Sequence, residues 1–299
     1  MPPTSELQDQ IEQLYYQRFS GYEGGRLLSY PILPVVTERY LNSRVVIIGQ
    51  ETNTWYPRSE ESEDLRDGFL AGRHEVVVHD EDPSGKARST TATRYTHFMR
   101  LLRERGYSGH FWPFVQSLYG EGGVLPGPMV DEQDRLGHLW LNLYSTEAIV
   151  KKSSGQGAPT SLRTLKQEIL QLQGDLLHQT LQLLKPRFVI CCTGPQNNEA
   201  LRISLGLEPG SSFEEVVGTR LPRHKKRSRP GFNVRQLARA EIDVGAQVPA
   251  TLLRTYHPTW FTSRINGQRR YWELNPNGET LAEAYTRTVM EEARRVVRA

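Results

Sequence analysis

The chain has 299 residues, 37% of them hydrophobic and 24% charged, with a formal net charge of +3. That length suffices for one good core, and a single α/β domain carrying loop insertions is expected across residues 1 to 299. No run of about 18 apolar residues is present and the start MPPTSELQDQ has neither the basic nor the apolar stretch of a signal peptide, so membrane-spanning and secreted classes are set aside and a soluble, cytoplasmic protein is expected.

Taken in chain order, ELQDQIEQLYYQRF reads as an amphipathic covering helix. Four short β-branched runs follow at wide intervals: Arg44 to Ile48 (RVVII), Leu139 to Tyr144 (LWLNLY), Arg187 to Thr193 (RFVICCT) and Thr251 to His257 (TLLRTYH). Near-continuous apolar strands of this kind belong in a parallel sheet covered on both faces, and the expected architecture is a three-layer αβα sandwich around four parallel strands. Between the first two, HFMRLLRERGYSGHFWPF gives a helix and turn whose aromatic residues, with His97, His110 and Trp112, are read as packing; Arg100, Arg103 and Arg105, with Arg94 just before the segment, are read as solvated surface. Leu162 to Leu184 carries apolar residues at 165, 169, 172, 176 and 177 and ends at Lys185-Pro186, which predicts one helix and hence a βαβ crossover. Asn275-Pro276-Asn277-Gly278 makes a turn before a last amphipathic helix, in which Leu281, Tyr285, Val289 and Val296 share a face. Insertions are placed near 58 to 92, 120 to 135 and 220 to 230, and loops of that length in a compact domain are usually functional or mobile.

Cys191 and Cys192 are adjacent inside an apolar run, which argues for strand packing rather than a disulfide framework or a four-cysteine metal cluster. The eight histidines show no metal-ligand spacing, and neither a metal nor another cofactor is expected. Global charge scarcely favours nucleic acid; its distribution says more. Residues 220 to 229, RLPRHKKRSR, hold six Arg or Lys, and RINGQRRYW at 264 to 272 adds three Arg among aromatics. Standing alone, such loops are as often plain solvated surface as phosphate contacts.

Polar residues end three of the strands: Gln50, Glu51, Thr52 and Asn53 after the first, Asn142 in the second, His257 at the end of the fourth. In an open parallel sheet, ligands bind beyond the carboxyl ends of the strands. One carboxylate, several amides and an imidazole are thereby delivered to a common edge.

VVIIGQETN at 45 to 53 resembles the first motif of the uracil-DNA glycosylase superfamily, and TYHPTWF at 255 to 261 resembles the second. LWLNLYS at 139 to 145 resembles the strand that carries the base-reading asparagine, and KPRFVICCTGPQNNEAL at 185 to 201 resembles the strand-turn-helix before the second motif. The resemblance covers the core strands alone. It implies a metal-free DNA glycosylase that flips a pyrimidine from DNA and hydrolyses its glycosidic bond, acting as a monomer with DNA as its partner.

By the same resemblance, Gly49, Gln50, Thr52 and Asn142 belong to the base-binding pocket, with the Gln50 backbone near the base O2 and the Asn142 amide on the Watson-Crick edge. Glu51 stands where a catalytic aspartate is found and would orient the attacking water, unless Asn53 does so, as in branches that use an amide there. His257 would stabilise charge developing on the leaving base, Pro258 would fix the turn, and Trp260 or Phe261 occupies the region of a duplex wedge. Arg223, Lys225, Lys226, Arg227, Arg229 and Arg264 become phosphate contacts. The bland alternatives are a turn-capping Glu51, a backbone-paired Asn142, a satisfied core His257 and core packing for Trp260 and Phe261.

Departures from the family pattern bear on the substrate. Thr52, Asn53 and Thr54 stand where the best-known branch has Pro-Tyr-His, whose tyrosine abuts C5 of uracil and excludes thymine. With the smaller Asn53 that wall is gone, and a 5-substituted pyrimidine such as hydroxymethylcytosine or its glucosylated form in phage DNA becomes the expected substrate, in antiviral defence. Two other readings stand beside it: a repair enzyme for uracil, and a non-catalytic DNA-binding protein of the same fold.

Overall fold

A computed structural model describes residues 4–19, 33–50, 98–104, 106, 110–146, 162–207, 214–215, 237–258 and 281–298. Helix α1 (Thr4–Phe19) buries Leu7, Ile11, Tyr15 and Phe19, one residue per turn along a single stripe. Helix α2 (Glu38–Ser43) starts at Thr37, whose hydroxyl accepts from the Tyr40 amide at 3.1 Å, and stops at Arg44, a left-handed residue at φ 54°. A non-glycine residue is strained there, and its own side chain helps to hold it: the Arg44 guanidinium donates to the Leu41 and Leu184 carbonyls at 3.1 and 2.7 Å. This reversal feeds the chain directly into strand β1 (Val45–Gly49), all five residues of which are buried.

Five more strands follow: β2 (Leu139–Asn142), β3 (Phe188–Cys191), β4 (Glu214–Glu215), β5 (Leu237–Ile242) and β6 (Ala250–Thr255). They form one sheet in the order β2-β1-β3-β6-β5-β4. Strands β2, β1, β3 and β6 are mutually parallel and correspond to the four apolar runs of the sequence. The expectation of a four-stranded, wholly parallel sheet is corrected: β5 runs antiparallel to β6 and β4 antiparallel to β5, which makes the sheet mixed and six-stranded. These two strands escape a reading by apolar runs because one is half polar, with Arg239 and Glu241 outside the core, and the other is the dipeptide Glu214-Glu215. Charged, short strands are how a sheet protects its edge.

The stretch expected to be one helix over 162 to 184 is two, α4 (Leu162–Gln173) and α5 (Leu176–Leu184), parted at Gly174 with φ +50°. Together they bridge β2 and the parallel β3, the anticipated crossover. Further on lie α6 (Asn198–Ser204) and the long α7 (Leu281–Arg298), while α3 (Phe111–Gln116) precedes β2 and residues 98–104 are helical.

Because successive strand residues face opposite sides, the sheet has a core on each face. Val46, Ile48, Leu141, Val189, Cys191 and Leu252 pack with α1, α4, α5 and α6. Val45, Ile47, Trp140, Ile190, Cys192 and Leu253 pack with Met99, with Trp112 and Phe114 of α3, and with Tyr285 and Val289 of α7. The two cysteines are free, fully buried and split between the faces; burial raises both thiols, Cys192 to about 12, which keeps them protonated packing groups. Residues 120 to 135 are irregular as expected, yet Leu125, Met129 and Val130 sink into the second core, and Arg39 donates to the carbonyl of Arg135 at 2.7 Å to hold the segment down. The insertions at 58 to 92 and 220 to 230 lie outside the described residues. No helix among the described residues is long and apolar enough to cross a membrane.

Candidate functional site at the carboxyl edge of the sheet

The four parallel strands open their carboxyl ends on one edge. The chain leaves β1 for β2 on one side and β3 for β6 on the other, so the topological switch point falls between β1 and β3. Gly49 ends β1 directly opposite Asn142, which ends β2. Past these residues the ladder persists, since the Leu143 and Tyr144 amides donate to the carbonyls of Gly49 and Gln50 at 2.9 and 3.1 Å. The register therefore fixes Gln50 and Asn142 as neighbours at the mouth of the edge.

Gly49 is required there for a steric reason. A Cβ at this position would collide with Asn142 Oδ1 and come to 3.5 Å from Trp140 Nε1. The amide of Asn142 lies across the end of β1, and only a glycine leaves room for it. Asn142 is 6% exposed, and its Nδ2 has no hydrogen-bond partner among the described residues. A buried donor without an acceptor costs about 1–3 kcal/mol, a cost that a ligand carbonyl or ring nitrogen would relieve. The alternative that Asn142 is satisfied by backbone is not what the described residues show.

His257 stands two residues beyond β6, half-buried, rather than at the strand end itself. The backbone leading to it is pinned: the Gly194 amide donates to the Thr255 carbonyl at 2.8 Å, and the Tyr256 amide donates to the Tyr285 hydroxyl of α7 at 2.9 Å. Three strand spacings, about 14 Å, separate the end of β2 from that of β6. A row of rings crosses this distance on the second face. Trp140 of β2 meets Trp112 edge-on with centroids 5.0 Å apart, Trp112 meets Phe111 edge-on at 5.1 Å, and Phe111 stacks on His257 at 6.0 Å and 18°. Phe98 packs against both tryptophans at 5.5 and 5.8 Å.

Gly49, Gln50, Asn142 and His257 are thus brought to one edge. Glu51, Thr52, Asn53, Trp260, Phe261, Arg264 and the basic residues Arg223, Lys225, Lys226, Arg227 and Arg229 lie outside the described residues. Their described chain neighbours stand at the same edge: Gln50 precedes Glu51, Pro258 precedes the Trp260 segment, and Leu237, paired with Thr255 at the carboxyl end of β6, follows the basic segment. Among the described residues no cluster of His, Cys, Asp or Glu would hold a metal ion.

No protein-family model, curated protein or solved structure matches this chain. The chemistry of the edge has to be read from its own groups. A buried amide donor and an imidazole stacked on Phe111, with a buried aromatic cluster between them, suit a planar, acceptor-bearing ring that gains negative charge.

The sequence reading of these aromatics as packing agrees with the structure: Trp112 and Trp140 are buried in the second core, and Phe98 and Phe111 pack against it. Sequence reasoning does not reveal that Phe111 stacks on His257. It also misses buried Arg254, three residues before His257; burial pulls its guanidinium below the usual range, while Tyr285, Tyr256 and Cys191 pull the other way.

Proposed function

We propose that the chain is a metal-free DNA glycosylase of the uracil-DNA glycosylase type, a soluble cytoplasmic enzyme that acts as a monomer on DNA. The observation that carries this reading is the buried Asn142 amide, laid over Gly49 with a donor to spare, on the same edge as His257. The four parallel strands β2-β1-β3-β6 support it, within a sheet that is mixed and six-stranded as a whole. In this reading a pyrimidine leaves the duplex at the expense of about a few kcal/mol of stacking and pairing, enters the edge between Asn142 and His257, and offers an acceptor to Asn142. Water, oriented by Glu51 or Asn53, attacks the sugar carbon as the glycosidic bond breaks. His257 stabilises the charge that collects on the departing base.

The substrate proposed is a 5-modified cytosine such as the glucosylated hydroxymethylcytosine of phage DNA, because by the sequence resemblance Asn53 stands where uracil-specific glycosylases carry the tyrosine that closes the space next to C5. The test is incubation with matched duplexes carrying uracil, a thymine mismatch, 5-hydroxymethylcytosine or its glucosylated form, followed by alkali. Strand cleavage on the glucosylated DNA that disappears in His257→Ala is expected. Cleavage confined to uracil would make it a repair enzyme, and binding without any abasic product would make it a DNA-binding protein. Asn142→Leu should abolish cleavage yet raise the urea midpoint, since it deletes a buried donor that has no acceptor among the described residues; the gain is about 1 kcal/mol.

A further inference from the structure

We propose that Phe111 is a positioning residue, whose ring fixes the plane of the His257 imidazole and so the direction in which His257 donates to the leaving group. The inference rests on the glycosylase reading for its catalytic consequence and on geometry for the rest. The N–H bond and the ring-nitrogen lone pair of an imidazole both lie in the ring plane, so whatever sets the plane sets where a hydrogen bond points. Phe111 lies within 18° of parallel to that plane with centroids 6.0 Å apart, an offset-stacked arrangement.

Phe111 can do this because it is itself immobilised. It opens a helix of only six residues, and the next residue, Trp112, is buried and meets Phe111 at 87°. Trp112 in turn is wedged between Phe98 and Trp140. Trp140 lies two residues before Asn142 and on the same face of β2, so the rings tie the imidazole plane to the strand that presents the amide donor. The histidine backbone is held through Tyr256 and Tyr285, and Phe111 adds a restraint on the plane of the side chain. Orientation of this kind is lost through displacements too small to unfold a protein.

The experiment combines kinetics with histidine-labelled NMR on full-length wild type, Phe111→Leu and Phe111→Tyr, the His257 signal being assigned by its loss in His257→Gln. Phe111→Leu should lower kcat about tenfold with KM little changed, and should abolish the upfield ring-current shift of the His257 ring protons while the other histidine signals stay put. Phe111→Tyr, which keeps the ring, should restore both. Unchanged His257 signals in Phe111→Leu, or a kcat indifferent to it in an active enzyme, would overturn the proposal. A wild type that releases no base, with the His257 signals still moving in Phe111→Leu, would sink the glycosylase reading and leave the stacking arrangement standing.

Discussion

At the residue scale, His138 sits at the opposite end of β2 from the candidate site and works in the opposite sense. It is 1% exposed, with its Nδ1 2.5 Å from the Tyr119 hydroxyl, and burial, reinforced by Arg39, pulls its imidazole down to about 3. The folded chain keeps it neutral, whereas the unfolded chain takes up a proton near pH 6.5. Stability from this group is fully present above about pH 6.5, falls as the pH drops, and levels out below about pH 3, where both states carry the proton. The loss amounts to at most about 5 kcal/mol. His138→Gln should flatten the stability profile between pH 4 and 6.5 in urea titrations; an unaltered slope there would assign the acid sensitivity to other groups. Asn142 and His138 are both buried polar residues in or beside one strand, and both are visible in the sequence. Each has a buried nitrogen without a partner among the described residues, His138 Nε2 and Asn142 Nδ2, and what separates them is place: Asn142 ends β2 opposite Gly49 at the carboxyl edge, whereas His138 precedes the strand at its other end.

At the element scale, the break between α4 and α5 shows where periodicity misleads. Apolar spacing runs through Gly174 without interruption, but Gly174 adopts φ +50°, and a Cβ there would stand 3.0 Å from the Arg18 guanidinium. The turn is fastened by Arg18 of α1, which donates to Asp175 at 2.6 Å, and by Gln179, which donates to the other oxygen of the same carboxylate at 2.8 Å. Gly174→Ala should therefore cost about 1–2 kcal/mol, measured as a lower urea midpoint, because alanine is strained at that backbone angle. A midpoint within error of wild type would show that the two helices can straighten into one. The parallel strands are legible for a simpler reason. Strands covered on both faces must be apolar at nearly every position, and VVII, LWL and FVIC can hardly be read otherwise. Strands β4 and β5 exist through pairing with a neighbour, and local sequence does not reveal a neighbour.

At the scale of the whole molecule, topology fixes where β5 begins: it runs back along β6, so Leu237 stands against Thr255, beside the edge that bears His257, while the basic segment at 220 to 229 lies outside the described residues. If Lys225, Lys226 and Arg227 each meet a phosphate, replacing all three by alanine should reduce the slope of log affinity against log salt by roughly one unit for each phosphate left unneutralised. A slope equal to that of the wild type would remove the segment from the DNA surface. By itself the sequence determined the parallel strands, the covering helices and the residues at the strand ends, because burial and chain reversal leave local marks on composition. Only the tertiary structure decided that the sheet is mixed, that the Asn142 amide lies over Gly49 with its donor unfilled, and that Phe111 stacks on His257. Those facts depend on how distant parts of the chain meet, and a meeting of two segments is a property of their packing that neither one carries alone.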